Sequence, residues 1–363
     1  MTKRNTRAFF LVILSLLIFS LFSIQERRLG GEAGVPLDDS WIHFQFARNV
    51  ADGHGFSYNP GEKTPGSTSP LWVYILAGTY KMTHDFILSS KILGLLFLLA
   101  GVWGVYNISL LIDPNRWLAS FVALFTVMAG RLIWGALSGM EIGLFTSLTI
   151  MGIFFHMKYE VSSSKFFLST LFLGLATLAR PEGAALFLFA LLDTAWRSFR
   201  KKGRDKDEVT ATKKLVGLGL QLLIFGAIVF PQIRFCLLTT GRPLANTFYA
   251  KTQGIQLGAT SVAYLIKVAY YLFGDHPLLF CMLPFGLWRI GRMALSEDSK
   301  GAILPLWFLG LPIFNAVINP VTWHHGRYFI FLIPISFLFS LHGLFCVSDS
   351  PRLRRLRLKE GFL

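Results

Sequence analysis

Of the 363 residues, 53% are hydrophobic and only 15% charged, with 35 Phe and 9 Trp. Soluble domains carry roughly 25% charged residues, so the chain reads as a membrane protein. The formal net charge of +15 sits mostly in loops and tails beside apolar runs, as membrane topology requires. A nucleic-acid partner is therefore not expected.

The first apolar run, 8–25, follows Lys3, Arg4 and Arg7. A cleaved signal peptide is the competing reading. The run is long for one, however, and ends in IQERR without a small-residue cleavage site, so it reads as an uncleaved first helix. Hydropathy places further spans near 86–112, 117–134, 143–157, 165–179, 183–196, 215–234, 277–291, 302–318 and 327–347. The expected fold is all-α: a polytopic transmembrane bundle of about ten helices, several of them shorter than a full crossing. The apolar pieces 70–83 and 262–274 are interrupted by polar residues and read as helices lying at the interface. Cys236, Cys281 and Cys346 lie in or beside apolar segments without metal or redox spacing, and read as small buried hydrophobes.

A cytoplasmic N-terminus puts the loops 113–116, 158–164, 197–214 and 292–301 and the tail after 348 inside. The two most basic stretches, WRSFRKKGRDKDEVTATKK and PRLRRLRLK, then both face the cytoplasm. The polar clusters fall on the other face. They are the first loop (26–85), Ser138–Glu141, Arg180–Gly183, Thr240–Lys251 and Trp323–Tyr328. Five loops gathered at one face suggest one site built from helix ends. The absence of a visible internal repeat weighs against a transporter made of inverted repeats.

Along the first loop, Asp38 and Asp39 precede a helical pattern, SWIHFQFARNVADG. One Asp can cap that helix, but a cap does not need both. Adjacent carboxylates at a membrane edge are costly unless paired or wetted, which makes them candidates for a general base or a cation site. His43 and Arg48 can donate to anions, and Trp41, Phe44, Phe56, Tyr58 and Trp72 can stack on sugars, although an interfacial aromatic belt explains most of those rings. The turns NPGEK and TPGSTSP predict an ordered loop. Glu141 follows WGALSGM, where a solvated turn is the plain alternative. Arg180 and Glu182 in LARPEG read as an ion pair at a helix start, with Pro181 at its first position.

Arg242, Asn246 and Lys251 lie in a basic outer segment, and Arg242 and Lys251 suit a phosphate. His324, His325, Arg327 and Tyr328 crowd one helix mouth, where a phosphate is favoured over zinc because adjacent histidines rarely share one metal. Lys91, Arg131 and Lys267 have interfacial or snorkelling explanations. The sequence contains no Walker motif, Gly-x-Ser-x-Gly or HExxH, which argues against an ATP-driven pump.

The ordered set DDSWIHFQFARNVADGHGFSYNPGE, TSPLW, WGALSGME, LARPEG, RPLANTFYAK and GRYF resembles the polytopic GT-C glycosyltransferases over nearly the whole chain. It most resembles the branch of the mycobacterial terminal arabinofuranosyltransferases and their bacterial relatives. The resemblance implies an enzyme of the bacterial inner membrane with its active site on the extracytoplasmic face. Such an enzyme would move a hexose or pentose from a polyprenyl-phosphate donor to an envelope glycan or lipid acceptor. By the same resemblance, the catalytic aspartate is Asp38 or Asp39, Glu141 lines the site, and Lys251, His325 and Arg327 hold the donor phosphate. The expected outcome is inversion, and a divalent metal (Mg or Mn) at Asp38 and Asp39 stays open. The expected organisation is one GT-C-like unit over 1–348 and a basic tail over 349–363, without the soluble outer domain that relatives usually carry. The rival is a non-catalytic carrier-lipid-binding protein: a flippase, a transporter or an envelope or flagellar assembly factor.

Overall fold

The computed structural model describes residues 3–160, 163–201, 208–251, 258–296, 301–320 and 326–348. These residues are helical and form no strand; the first loop contains one isolated bridge, Ser57–Lys63. The chain runs through α1 (Lys3–Gly30), α2 (Asp39–Ala51), α3 (Pro70–Thr83), α4 (Phe86–Ile112), α5 (Arg116–Met128), α6 (Gly130–Leu137), α7 (Ile142–Lys158) and α8 (Phe167–Ala179). It continues through α9 (Gly183–Lys201), α10 (Glu208–Thr240), α11 (Asn246–Lys251), α12 (Ala259–Asp275), α13 (Pro277–Phe280), α14 (Leu283–Ala294), α15 (Ile303–Ile318) and α16 (Ile333–Ser348). The local sequence sets several starts. The Asp85 carboxylate accepts from the Leu88 amide and the Asn115 side chain from those of Trp117 and Leu118, as expected of good N-caps.

All ten apolar segments contain helix. Among the described residues, however, only Phe10–Gly30, Phe86–Ile112, Leu215–Thr240 and Ile330–Ser348 are long and apolar enough to cross a bilayer. The segment expected as one span at 117–134 is two helices, α5 and α6, bent by 56°. Ala129 adopts an extended conformation there, and its carbonyl accepts from the Leu132 and Ile133 amides, which starts a new helix. The expected span at 277–291 is likewise divided between α13 and α14.

The stretch expected at the interface, 262–274, lies within α12, which packs against α15 and buries Tyr264. α12, α13 and α14 form a broken path between two ends of the bundle. One end carries Tyr264 beside Phe329; the other carries Arg289, which bonds Asp113 Oδ2 at 2.8 Å. Arg131 is not a snorkelling cation, since it pairs with Asp275 and donates to the Tyr271 carbonyl at 3.1 Å, joining α6 to α12. Lys91 is likewise bonded to Glu26 at 2.6 Å, tying α4 to α1.

The tightest helix contact is between α14 and α16. A methyl group built on Gly286 would lie 1.7 Å from the Phe339 carbonyl oxygen, and one on Gly343 would lie 2.2 Å from that of Met282. Small residues allow such backbone approach where lipid supplies no hydrophobic drive for helices to associate. At the end of the bundle that carries Arg289, the Ser109 hydroxyl meets His342 Nε2 at 3.0 Å, and His156 meets Asp193 at 2.6 Å. Cys236 is buried, Cys346 half-buried and Cys281 exposed, so the last is not the buried hydrophobe expected of it.

Candidate active site

The site begins at the N-terminus of α2, where the two aspartates part company. Asp38 is exposed and spends its carboxylate on the Asp39 amide at 2.9 Å, acting as the cap. Asp39 is half-buried, lines a cavity and holds Arg327 at 2.6 Å. His43 stands one helical turn further on, so the 3.6-residue period brings it to the same wall.

The turn between α6 and α7 closes against α2. Gly139 has φ +76°, which suits glycine, and a methyl group there would press on Val35, Phe44 and Ser40. The Ser40 hydroxyl donates to the Ser138 carbonyl at 2.6 Å and the Trp72 indole to that of Gly139 at 3.0 Å. Trp72 is therefore a buried strut and not a belt residue, as are the buried Phe44 and Phe56, whereas Trp41 and Tyr58 are exposed. The turn delivers Glu141, 2% exposed, to the start of α7.

Glu141 is not a solvated turn residue. Its Oε1 accepts from Arg180 at 2.6 Å, and His43 Nε2 lies 3.4 Å from Oε2. Burial pushes the Glu141 carboxyl upward, but His43 and the Arg180 charge outweigh it and hold the group well below the usual carboxylate range. Arg180 also donates to Glu182 at 2.9 Å and faces the Phe145, Tyr328 and Phe331 rings at 5.9, 5.2 and 5.8 Å. Burial works against its charge, and the two carboxylates more than restore it. The Arg180–Glu182 pair expected from LARPEG is present, although α9 starts at Gly183, after Pro181. On the far side of His43, Nδ1 meets the Ser67 hydroxyl at 3.2 Å, and Ser67 also accepts from the Ser69 amide at 3.1 Å. Ser67, His43 and Glu141 thus form a hydroxyl–imidazole–carboxylate line along the wall.

The cavity measures about 410 Å³, within the range of small-molecule sites. Asp39, His43, Glu141, Arg180, Glu182, Arg327 and Tyr328 all line it. Phe225, Val229, Ile233 and Cys236 of α10 supply an apolar wall at helical spacing, interrupted by the Gln232 amide and continued by Phe314 and Ile318 of α15. Arg48 and Arg242 are exposed outside the wall and lie over the Phe86 and Tyr249 rings. Asn246 is also outside it, its amide bonded to the Pro65 carbonyl at 3.0 Å, while its neighbours Ala245 and Thr247 face the cavity. His324, His325, the Lys251 side chain and the 349–363 tail lie outside the described residues.

The sequence reading overlooked Ser67, Thr247, Asn315 and Asn319, all of which line the cavity. The two asparagines carried a readable signal: amides four residues apart at the end of an otherwise apolar helix, where a polar side chain is a functional candidate by default.

A metal held by the acidic pair does not fit these residues. Asp38 caps α2, Asp39 is bound to Arg327, and no group of three His, Cys, Asp or Glu gathers among the described residues.

The arrangement of the helices matches two solved structures. Crystal structures of ArnT from Cupriavidus metallidurans, one bound to undecaprenyl phosphate and one apo, superpose with TM-scores of 0.66 and 0.63 over 97% and 95% of this chain. The chain has the ArnT fold. ArnT is a polytopic membrane protein of the GT-C class, and the all-α bundle here shares that architecture. Sequence identity to both structures is 15%, and the chain spans 62% of the length of each. No protein-family model and no curated protein matches the sequence.

Proposed function

We propose that this ArnT-like chain is a membrane glycosyltransferase. It would take a sugar from a polyprenyl-phosphate donor and pass it to an envelope glycan or lipid at the extracytoplasmic face of the bacterial inner membrane. The observation that carries this reading is the Asp39–Arg327 pair facing an apolar wall across one cavity. Such a cavity has an apolar surface for an isoprenoid, a cation for its phosphate and a carboxylate for the acceptor. The ArnT structure bound to undecaprenyl phosphate supports a polyprenyl carrier. The motif resemblance to the arabinofuranosyltransferase branch makes pentosyl donors the first to test, with hexosyl donors beside them.

Arg327 is 5% exposed, and its Nη1 has no hydrogen-bond partner. Tyr328 and Asp39 sustain its charge against burial. A donor phosphate arriving at Nη1 competes with Asp39 for the guanidinium and so loosens the carboxylate. The acceptor oxygen then attacks the anomeric carbon while the bond from that carbon to the phosphate oxygen breaks. The electron pair leaves on the phosphate, which Arg327 stabilises, and the acceptor proton passes to Asp39. A single displacement of this kind inverts the anomeric centre. The paired charges of Glu141, Arg180 and Glu182 hold His43 and Tyr328 around the reacting groups.

The test is transfer by purified protein in lipid from a panel of radiolabelled polyprenyl-phosphate sugars. Asp39→Asn is expected to lower transfer by roughly 10²- to 10⁴-fold. Asp38→Asn, which retains a good cap, should stay near wild type. Full transfer by Asp39→Asn would remove it as the base. Donor binding without transfer from any donor would favour the non-catalytic carrier-binding protein.

A further inference from the structure

We infer that Asn315, Asn319 and Thr247 form the subsite for the sugar of the donor, and that this sugar carries no carboxylate. The inference rests on the donor reading above and gives it a substrate class. Asn315 is 4% exposed, and its Nδ2 lies near the Tyr264 hydroxyl without a well-formed hydrogen bond to it or to any other group. Asn319 and Thr247 are half-buried, but Asn319 Oδ1 and Thr247 Oγ1 are themselves buried without hydrogen-bond partners, and all three residues line the cavity that Asp39 and Arg327 share. Asn315 and Asn319 are four residues apart, and the Asn319 amide donates to the Asn315 carbonyl at 2.8 Å, which places both on one face at the end of α15. Thr247 approaches from α11, on a separate segment.

Buried polar atoms without partners are unfavourable, and their concentration around one cavity marks what its occupant is expected to satisfy. An amide N–H donates, an amide oxygen accepts, and a hydroxyl does both. Ring hydroxyls, each a donor and an acceptor, match that set. An anionic sugar does not, because the three described carboxylates on the wall face only two arginines: Asp39 pairs with Arg327, and Glu141 and Glu182 share Arg180. A carboxylate on the sugar would compete with the donor phosphate for Arg327 Nη1, the unpartnered guanidinium nitrogen beside Asp39.

The experiment measures binding to the full chain in nanodiscs. The probes are undecaprenyl phosphate alone, undecaprenyl phosphate bearing neutral pentoses and hexoses, and undecaprenyl phosphate bearing a uronic acid. At least one neutral-sugar donor should bind the wild type more tightly than undecaprenyl phosphate, by roughly 10-fold for two or three neutral hydrogen bonds. Asn315→Leu with Asn319→Leu, and separately Thr247→Val, should reduce that margin and leave undecaprenyl phosphate binding unchanged, which also shows that the variants fold. Should the double variant not fold, Thr247→Val carries the test alone.

The inference is overturned if the folded variants keep the full margin, if they lose undecaprenyl phosphate affinity in parallel, or if the uronic-acid donor binds best. Failure of the wild type to bind undecaprenyl phosphate would overturn the donor reading and this inference with it. Binding of undecaprenyl phosphate with no gain from any sugar would overturn this inference alone.

Discussion

Position on the helix separates Asp38 from Asp39. Asp38 lies at the cap and turns its carboxylate back to the chain; Asp39 lies one residue on and meets Arg327 inside the cavity. The same scale governs Glu141, whose charge is sustained in a buried place by Arg180 and His43. Glu141→Gln removes one of the two carboxylates on a buried arginine. Loss of a buried pair costs about 3–5 kcal/mol, and because Glu182 remains, the lower end, about 3 kcal/mol, is expected in denaturant titrations in detergent. The pH dependence follows from the direction of the shift. A carboxyl lowered from its ordinary value of 4.5 adds stability that is fully present above that value and is lost as pH falls through the folded-state value. The wild-type Tm should hold this contribution from neutral pH down to about pH 5 and shed it below pH 4.5. In Glu141→Gln, that part of the acid loss should be missing.

Helix interruptions and close approaches shape the elements. The break at Ala129 turns α6 so that the Ser138–Glu141 turn meets α2, and the Arg131–Asp275 pair fixes the turned segment to α12. Hydropathy over 117–134 reads straight through this break, because apolar content does not register an extended residue or an ion pair formed 144 positions away. At the contact of α14 with α16, the absence of a side chain on Gly286 is what lets the backbones meet. Gly286→Val should force the helices apart and cost about 1–3 kcal/mol or more, read as a lower Tm in detergent. Gly291→Val, on the same helix with open space around it, is the control and should leave Tm unchanged or slightly raised, because valine is a somewhat better helix former than glycine.

For the whole molecule, the question is which face the cavity opens to. The positive-inside pattern predicts that the loop carrying Arg242 is extracytoplasmic and the one carrying Arg116 cytoplasmic. Both residues are exposed. With the three native cysteines replaced, Arg242→Cys should react with a membrane-impermeant maleimide applied from outside spheroplasts, and Arg116→Cys only after lysis. The reverse pattern would place the cavity on the cytoplasmic face and overturn the proposed location of the reaction.

The membrane character, the all-α class, the segments that become helices and the gathering of polar loops around one site were all legible in the chain, because hydropathy and charge act locally and sum along it. The bounds of α4 were predicted to the residue, since Asp85 and Asp113 flank an uninterrupted apolar run. The candidate loops were legible too, as clusters of polar residues in apolar surroundings. Their pairing was not: whether Asp39 or Asp38 faces the cavity, that Glu141 and Glu182 share Arg180, and that His43 stands between Glu141 and Ser67 depend on contacts between segments far apart in sequence. Tertiary structure also decided that Arg48 and Arg242 lie outside the cavity while Asn315 and Asn319 lie on its wall. Burial and direction are set by how helix ends meet, and local composition carries no record of that meeting.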